Sequence, residues 1–151
     1  MSKMYVVIGI PGCGKSTYIQ NHIKENEIIV SRDKIRFSML KDNDDYFSKE
    51  SEVYDKFIEQ IDATIAAQKD VWVDQTSLNR KARNKLFSRL NKKPDEIIGI
   101  YFNIPIAIAL QRNAQRSGRA LVPEDAIHSM FIALEKTTKK EGFTEILEVC
   151  E

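Results

Sequence analysis

The chain has 151 residues, 42% of them hydrophobic and 30% charged, and its formal net charge is +1. This composition is typical of a globular domain, and we expect residues 1–151 to form a single domain. Short apolar runs exclude a transmembrane protein, and only two cysteines, Cys13 and Cys150, exclude a disulfide-rich secreted one. With no signal-like segment at the start, the sequence predicts a soluble cytoplasmic protein with reduced thiols.

Apolar runs and segments with helical spacing alternate along the chain. The runs predict strands at 4–8, 28–30, 71–73, 97–102 and 144–149. The spacing predicts helices over 15–24, 54–65, 82–90 and 105–115, and a further helix whose first turn contains Pro123. This alternation favours an α/β fold, a five-stranded parallel sheet with helices on both faces.

Ligands of such sheets bind beyond the carboxyl ends of the strands, so the residues after each strand are the candidate site. After the first strand comes "GIPGCGKST", residues 9–17, which fits G-x-x-x-x-G-K-[ST]. Its glycines let backbone N–H groups surround phosphates, Lys15 supplies a positive charge, and the Ser16 hydroxyl can ligate Mg²⁺. We therefore predict a nucleoside triphosphate site at Gly12, Cys13, Gly14, Lys15, Ser16 and Thr17, with Cys13 filling space rather than reacting.

Other segments decide which reaction class the loop serves. A GTPase needs Asn-Lys-x-Asp after a strand, but "NKKPD" at 91–95 has its Asp one residue too late and precedes a strand. A motor-type ATPase would place an acidic pair after an apolar strand, whereas 71–73 leads into the single Asp74. A kinase is the better interpretation, because it needs an acceptor base and cations over the transferred phosphoryl group.

The segment "SRDKIR", residues 31–36, follows the second strand and can meet the acceptor. Asp33 can take a hydroxyl proton, and Arg36 can hold a neighbouring anion. If the segment is helical, their three-residue spacing places both on one face. The alternative is that Asp33 is a helix N-cap beside surface arginines.

The segment "QRNAQRSGR", residues 111–119, predicts an arginine-bearing lid after the fourth strand. Arg112 and Arg116 are four residues apart, so a helix would carry both on one face, and Arg119 follows in the loop. The alternative is a solvated basic helix end. A further seven basic residues and no acidic one lie between 79 and 93, either as a solvated helix face or to steer an anionic substrate.

Four segments in order, "GIPGCGKST", "SRDKIRFSM", "VDQTSLNRKAR" and "RNAQRSGRALVPEDAIHSM", resemble the 5′-kinase module of the T-even bacteriophage polynucleotide kinases. The resemblance covers nearly the whole chain. It implies a P-loop kinase fold, ATP as phosphate donor with Mg²⁺, and the 5′-hydroxyl end of DNA or RNA as acceptor. For a phage-encoded protein the location would be the host cytoplasm.

The resemblance also implies roles for single residues. On the donor side Lys15 and Ser16 would handle ATP phosphates and Mg²⁺, and Arg116 would stabilise the transferred phosphoryl group with help from Arg112. On the acceptor side Asp33 would be the general base, and Arg36 would grip the phosphate on the 3′ side of the terminal nucleotide. Asp74 would orient the lid arginine or a metal-bound water.

The sequence departs from the phage pattern in two respects. Lys34 stands where a second acidic residue is expected, and no D-x-D-G-T phosphatase motif is present. We therefore expect a separate phosphatase or ligase partner for end repair. Two alternatives stay open: a kinase of the same fold for a nucleoside, sugar or antibiotic, and a nucleotide-binding switch without enzymatic activity.

Overall fold

A computed structural model describes residues 2–150, except for the side chain of Arg119. In this range five strands form one parallel sheet in the order β2-β3-β1-β4-β5. The strands are β1 (Lys3–Ile8), β2 (Ile28–Ser31), β3 (Val71–Asp74), β4 (Glu96–Asn103) and β5 (Glu145–Cys150). The predicted five-stranded parallel sheet is confirmed, and each strand lies within one residue of its predicted bounds.

The helices are α1 (Lys15–His22), α2 (Arg32–Met39), α3 (Glu50–Ala66), α4 (Arg80–Arg89), α5 (Ile106–Asn113) and α6 (Glu124–Ala133). Two 3₁₀ turns lie at Gly118–Ala120 and Lys139–Glu141. Pro123, expected in the first turn of α6, is instead its N-cap residue. The segment after β2 is helical, as the one-face placement of Asp33 and Arg36 requires.

Alternating side chains of β1 separate two apolar layers. Met4, Val6 and Ile8 pack with α3 and α4, whose buried residues include Phe57, Ile61 and Leu86. Val7 lies in the opposite layer with α1, α5 and α6, represented by Ile19, Ala109 and Ile127. Helices therefore cover both faces, and no helix within residues 2–150 is long and apolar enough to cross a membrane.

The register of the sheet brings three strand ends together. Asp74, the last residue of β3, lies opposite Val7 of β1 and Ser31 of β2. The loop after β1 is tied to the loop after β3 by a hydrogen bond from the Gly9 N–H to the Thr76 carbonyl, 3.0 Å long. The segments after β1, β2 and β3 consequently share one edge of the sheet.

Candidate active site

The loop between β1 and α1 depends on two glycines with left-handed backbone angles. Gly12 has φ 84° and Gly14 has φ 103°, a region that L-residues with a side chain rarely adopt. A Cβ atom on Gly12 would also overlap the carbonyl oxygen of Ala109 on α5. The loop is therefore closed against α5, the helix that leads into the lid segment.

Lys15 folds back over this loop. Its Nζ donates hydrogen bonds to the carbonyl oxygens of Gly9 at 2.8 Å and Ile10 at 2.9 Å. The Cys13 thiol is buried beneath it, in a space that a Cβ on Gly9 would fill. Ser16, in the first turn of α1, is exposed. The loop thus presents an ammonium group and an open hydroxyl, the two groups that the motif assigns to phosphates and Mg²⁺.

Asp74 links the phosphate loop to the acceptor segment. Burial raises the pKa of its carboxyl group, and the negative charge of Asp33 acts in the same direction. The charges of Lys15 and Lys34 and a hydrogen bond with Ser31 oppose the rise. The charges of Lys15 and Asp33 therefore both act on the Asp74 carboxylate. This carboxylate links the phosphate loop to the candidate acceptor segment.

Asp33 lies in the first turn of α2 and points towards solvent. Ser31, not Asp33, is the N-cap, because its hydroxyl accepts a hydrogen bond from the Lys34 N–H at 3.3 Å. The alternative that Asp33 is an N-cap is therefore wrong. Its side chain is 65% exposed and contacts the Arg36 guanidinium, while the Tyr46 hydroxyl donates to it at 3.4 Å. Asp33 is open to an incoming acceptor.

Arg36 is only 5% exposed and is held by Glu50 of α3. The guanidinium donates from Nε at 2.9 Å and from Nη2 at 2.7 Å to the two oxygens of that carboxylate. Burial would raise the pKa of Glu50, but the hydrogen bonds from Arg36 and the charge of Arg32 lower it. The guanidinium predicted to grip a substrate phosphate contacts carboxylates in this structure.

The two lid arginines occupy different positions. An ideal Cβ on Gly14 would lie 3.1 Å from Nη1 of Arg112, so this guanidinium lies over the phosphate loop. Helix α5 ends at Asn113, and Arg116 lies beyond it in an exposed, non-helical segment. The prediction that one helical face carries both arginines is wrong, because the helix stops before its next turn.

Comparison with known protein families identifies a family for this chain. The AAA_33 family model, an AAA domain, matches residues 4–137. The chain belongs to this AAA domain family. No curated protein sequence matches it.

Solved structures similar to this AAA-family chain have the P-loop kinase fold. A gluconokinase from Sinorhizobium meliloti is 18% identical, with a TM-score of 0.60 and coverage of 98% of this chain and 82% of its own. A sugar kinase from Janibacter sp. is 18% identical, with a TM-score of 0.69 and coverage of 98% and 86%. The predicted kinase fold is confirmed.

A chain of the Pnkp1/Rnl/Hen1 RNA repair complex is 22% identical to the AAA-family chain, with a TM-score of 0.74. The match covers 88% of the present chain and 44% of that chain, so the present chain spans less than half of that protein's length. The narrower resemblance to phage polynucleotide kinases stays a prediction.

Three side chains of the AAA-family chain that shape the site escaped the sequence analysis. Glu50 and Tyr46 both bind Arg36. The Asn113 side chain joins the two ends of the segment that follows α5: it accepts from the Val122 N–H at 3.0 Å and donates to the Val122 carbonyl at 2.7 Å. Glu50 had a weak signal, because a buried arginine needs a carboxylate and residues 42–62 contain eight acidic residues. Asn113 had none.

The donor set suits Mg²⁺ bound together with a nucleotide. Within residues 2–150 no group of three or more His, Cys, Asp or Glu residues could hold a metal ion. Mg²⁺ in phosphoryl-transfer sites is bound by one or two protein groups, substrate phosphates and water. The open hydroxyl of Ser16, in the first turn of α1, and the carboxylate of Asp74, at the end of β3, fit that pattern.

Proposed function

We propose that the protein is an ATP-dependent polynucleotide 5′-hydroxyl kinase that acts on DNA or RNA ends. The observation that carries the proposal is the pairing of an exposed carboxylate, Asp33, with a buried arginine, Arg36, at the sheet edge that holds the phosphate loop. Asp74 lies between the two halves and is influenced electrostatically by Lys15 and Asp33. This electrostatic link supports a site in which donor and acceptor groups would meet.

The donor half would hold ATP. Lys15 would leave the loop carbonyls and contact the β- and γ-phosphates, and Ser16 with Asp74 would hold Mg²⁺, which neutralises charge on the phosphates. Arg112 already lies over the loop. Arg116 would approach the transferred phosphoryl group when the lid closes, and would stabilise the charge that develops there.

The acceptor half would activate the hydroxyl. The 5′-oxygen of the acceptor forms a bond to the γ-phosphorus of ATP. At the same time the bond between that phosphorus and the oxygen bridging the β- and γ-phosphates breaks, and ADP leaves. The hydroxyl proton passes to Asp33, and no phosphoenzyme forms. Arg36 would hold the phosphate on the 3′ side of the terminal nucleotide by exchanging its contact with Asp33 for the substrate oxygen, while Glu50 keeps the guanidinium in place.

The similarity to a chain of an RNA repair complex supports a nucleic-acid substrate. End repair also needs removal of 3′-phosphates and sealing, reactions that a phosphatase and a ligase would supply alongside this kinase. Because Asp33 and Arg36 would contact a hydroxyl and a phosphate, groups that both nucleic acids contain, the site would accept either DNA or RNA.

A small-molecule kinase is the second candidate, and one observation favours it. Arg36 is buried and bound through two nitrogens to Glu50, which leaves less of it for a substrate phosphate. A neutral acceptor such as a sugar needs no phosphate clamp. The gluconokinase and the sugar kinase also match over 98% of this chain.

Transfer of labelled γ-phosphate from ATP distinguishes the candidates. The acceptors are a 5′-hydroxyl oligonucleotide, a nucleoside 3′-monophosphate, the plain nucleoside and gluconate, and Lys15→Ala is the inactive control. We expect label on the oligonucleotide and the 3′-monophosphate and little on the plain nucleoside. Label on gluconate or nucleoside alone would replace the proposal with the second candidate.

A further inference from the structure

The basic stretch on α4 divides into buried and exposed residues. Arg83 is fully buried. Lys81, Lys85 and Arg89 are exposed and follow one another at four-residue steps, so they form a row along one face of the helix with a rise of about 6 Å between neighbours. We call these three residues the basic row.

The basic row has little acidic compensation. Among the described side chains, Lys81 and Lys85 form no ion pair, and Arg89 contacts Asp55 at 2.7 Å in an exposed pair. Exposed pairs of this kind contribute little, because water competes for both partners. The row therefore keeps its attraction for an anion.

The basic row is connected to the candidate acceptor site through Tyr54 of α3. Lys85 Nζ lies 4.4 Å and Arg89 Cζ 5.2 Å from the centre of the Tyr54 ring, and Arg32 Cζ lies 4.8 Å from the same ring. Arg32 immediately precedes Asp33 and donates to the side chain of Gln75, the neighbour of Asp74. Positively charged side chains therefore extend from the neighbourhood of Asp33 to the exposed face of α4.

Two polar atoms at this junction lack partners. Tyr54 is 5% exposed, and its hydroxyl forms no hydrogen bond with the described part of the chain. Arg32 Nε is likewise buried without a partner. Buried donors without partners destabilise a protein unless a ligand or water satisfies them. Arg32 is paired with Glu50 at 3.0 Å, whereas Lys85 has no acidic partner among the described side chains. Lys85, Arg89 and the two unused donors around this ring are suited to a phosphate oxygen.

We propose that the basic row, together with Arg32, binds the phosphodiester backbone of the acceptor strand beyond its terminal nucleotide. This inference rests on the proposed polynucleotide kinase activity and extends it from the terminal nucleotide to a longer single strand. Lysine and arginine contacts to phosphates carry no base information, so binding is independent of sequence and weakens with salt. A sugar or nucleoside acceptor cannot reach this row.

The test measures binding and transfer separately. Fluorescence anisotropy of a labelled single-stranded 12-mer, titrated at several salt concentrations, compares the wild type with Lys81→Gln/Lys85→Gln. We expect roughly tenfold weaker binding at low salt and a log–log salt slope that is less steep by about 1.4, or about 0.7 for each lost phosphate contact. Lys24→Gln, an exposed lysine just after α1, is the matched control and should leave the slope unchanged.

Transfer assays on the same variants separate this inference from the proposed function. The double variant should have a higher KM for the 12-mer and an unchanged KM for a nucleoside 3′-monophosphate, with unchanged thermal unfolding. An unaltered salt slope of the double variant, or an equal loss of oligonucleotide affinity in Lys24→Gln, would overturn the inference that the basic row binds the strand. Neither result would contradict the proposed kinase activity. Absence of transfer to any 5′-hydroxyl by the wild type would overturn the proposed function, while anisotropy would still report on the row.

Discussion

Two buried arginines each pair with a glutamate, but their other hydrogen-bond partners differ: backbone carbonyl oxygens for one and side chains for the other. Arg83 of α4 is 0% exposed and donates from Nε to Glu141 at 2.6 Å. Its Nη1 donates to backbone carbonyl oxygens, those of Ser77, Leu78 and Glu135. The guanidinium therefore joins the loop after β3 to the segment after α6.

Arg36 of α2 has side-chain partners instead. It donates to Glu50 and Asp33 and to the Tyr46 hydroxyl at 3.0 Å, and its guanidinium lies 4.7 Å from the centre of the Tyr46 ring. Desolvation acts to lower its pKa, but the hydrogen bonds to Glu50 and the nearby charges of Glu50 and Asp33 raise it on balance.

The difference shows why burial of an arginine does not by itself mark a site. Carbonyl oxygens of a folded loop move only if the loop unfolds, so the contacts of Arg83 are fixed. Side chains can rotate, and Asp33 is largely exposed, so Arg36 can exchange a partner for a ligand. We therefore expect substitutions at Arg83 to affect folding and those around Arg36 to affect activity.

The largest effect is expected from Arg83→Met. Removing the guanidinium takes the Arg83 donor from the carbonyl oxygens of Ser77 and Glu135 and leaves the Glu141 carboxylate, among the described residues, with donors from Thr138 alone, which lowers the free energy of unfolding by about 3–5 kcal/mol. Urea denaturation measures this change. Arg80→Met is the matched control: Arg80 is 61% exposed and 3.8 Å from Glu135, so its loss should stay within about 0.5 kcal/mol. Equal effects of the two substitutions would remove the distinction.

The next effect is expected at the exposed acid of the Arg36 cluster. Asp33→Asn should lower turnover by about 10²-fold or more, because the acceptor hydroxyl loses its general base. ATP affinity and the unfolding midpoint should change little, since Glu50 still neutralises Arg36. γ-Phosphate transfer and nucleotide titration measure the two properties. Turnover close to that of the wild type would place the base elsewhere.

A smaller effect is expected from Tyr46→Phe. This substitution keeps the ring over Arg36 but removes the hydroxyl that contacts both Arg36 and Asp33. A hydrogen bond of this kind contributes about 1 kcal/mol, so turnover should fall roughly fivefold. Tyr101→Phe, on β4, serves as the control in the same transfer assay. If Tyr46→Phe lowered stability more than turnover, the contacts of Arg36 with Asp33, Tyr46 and Glu50 would be structural, like those of Arg83.

The smallest effect concerns Asp74, a partly buried acid that pairs with no arginine among residues 2–150. The pKa of Glu141, whose burial alone would raise it, is lowered by the hydrogen bond with Arg83, whereas burial raises that of Asp74. Because the pKa of Asp74 is raised in the folded state, its protonated form favours folding. This contribution to stability is fully present below pH 3.8, the ordinary aspartate pKa, and is lost as the pH rises through the folded-state pKa. Asp74→Asn should therefore be more stable than the wild type at pH 7.

This gain should disappear as the pH falls below the ordinary aspartate value. Thermal unfolding of the wild type and Asp74→Asn across that pH range measures the difference. A gain independent of pH would show that charge is not its cause. A loss at neutral pH would show that the charges of Lys15 and Lys34 outweigh burial, and that Asp74 belongs with the paired acids.

Local patterns were sufficient for the five strands, for five of the six helices and for the phosphate loop. Continuous apolar runs indicate buried strands, and Gly14 with Lys15 marks a loop whose geometry depends on neighbouring residues. The helix that holds Asp33 and Arg36 was not predicted, because their three-residue spacing places both on one face only if the segment is helical. The lid was less predictable, because a helix end depends on the contacts of Asn113 with Val122, nine residues away.

The sequence by itself determined the strands, five of the six helices, the phosphate loop and the identity of the charged residues after each strand. Tertiary structure alone decided the strand order and which charges meet. Glu50 lies 14 residues from Arg36, and Glu141 lies 58 residues from Arg83. The physical reason is that a charge takes its role from its burial and its partner, and both are properties of distant chain segments brought together by the apolar layers on the sheet.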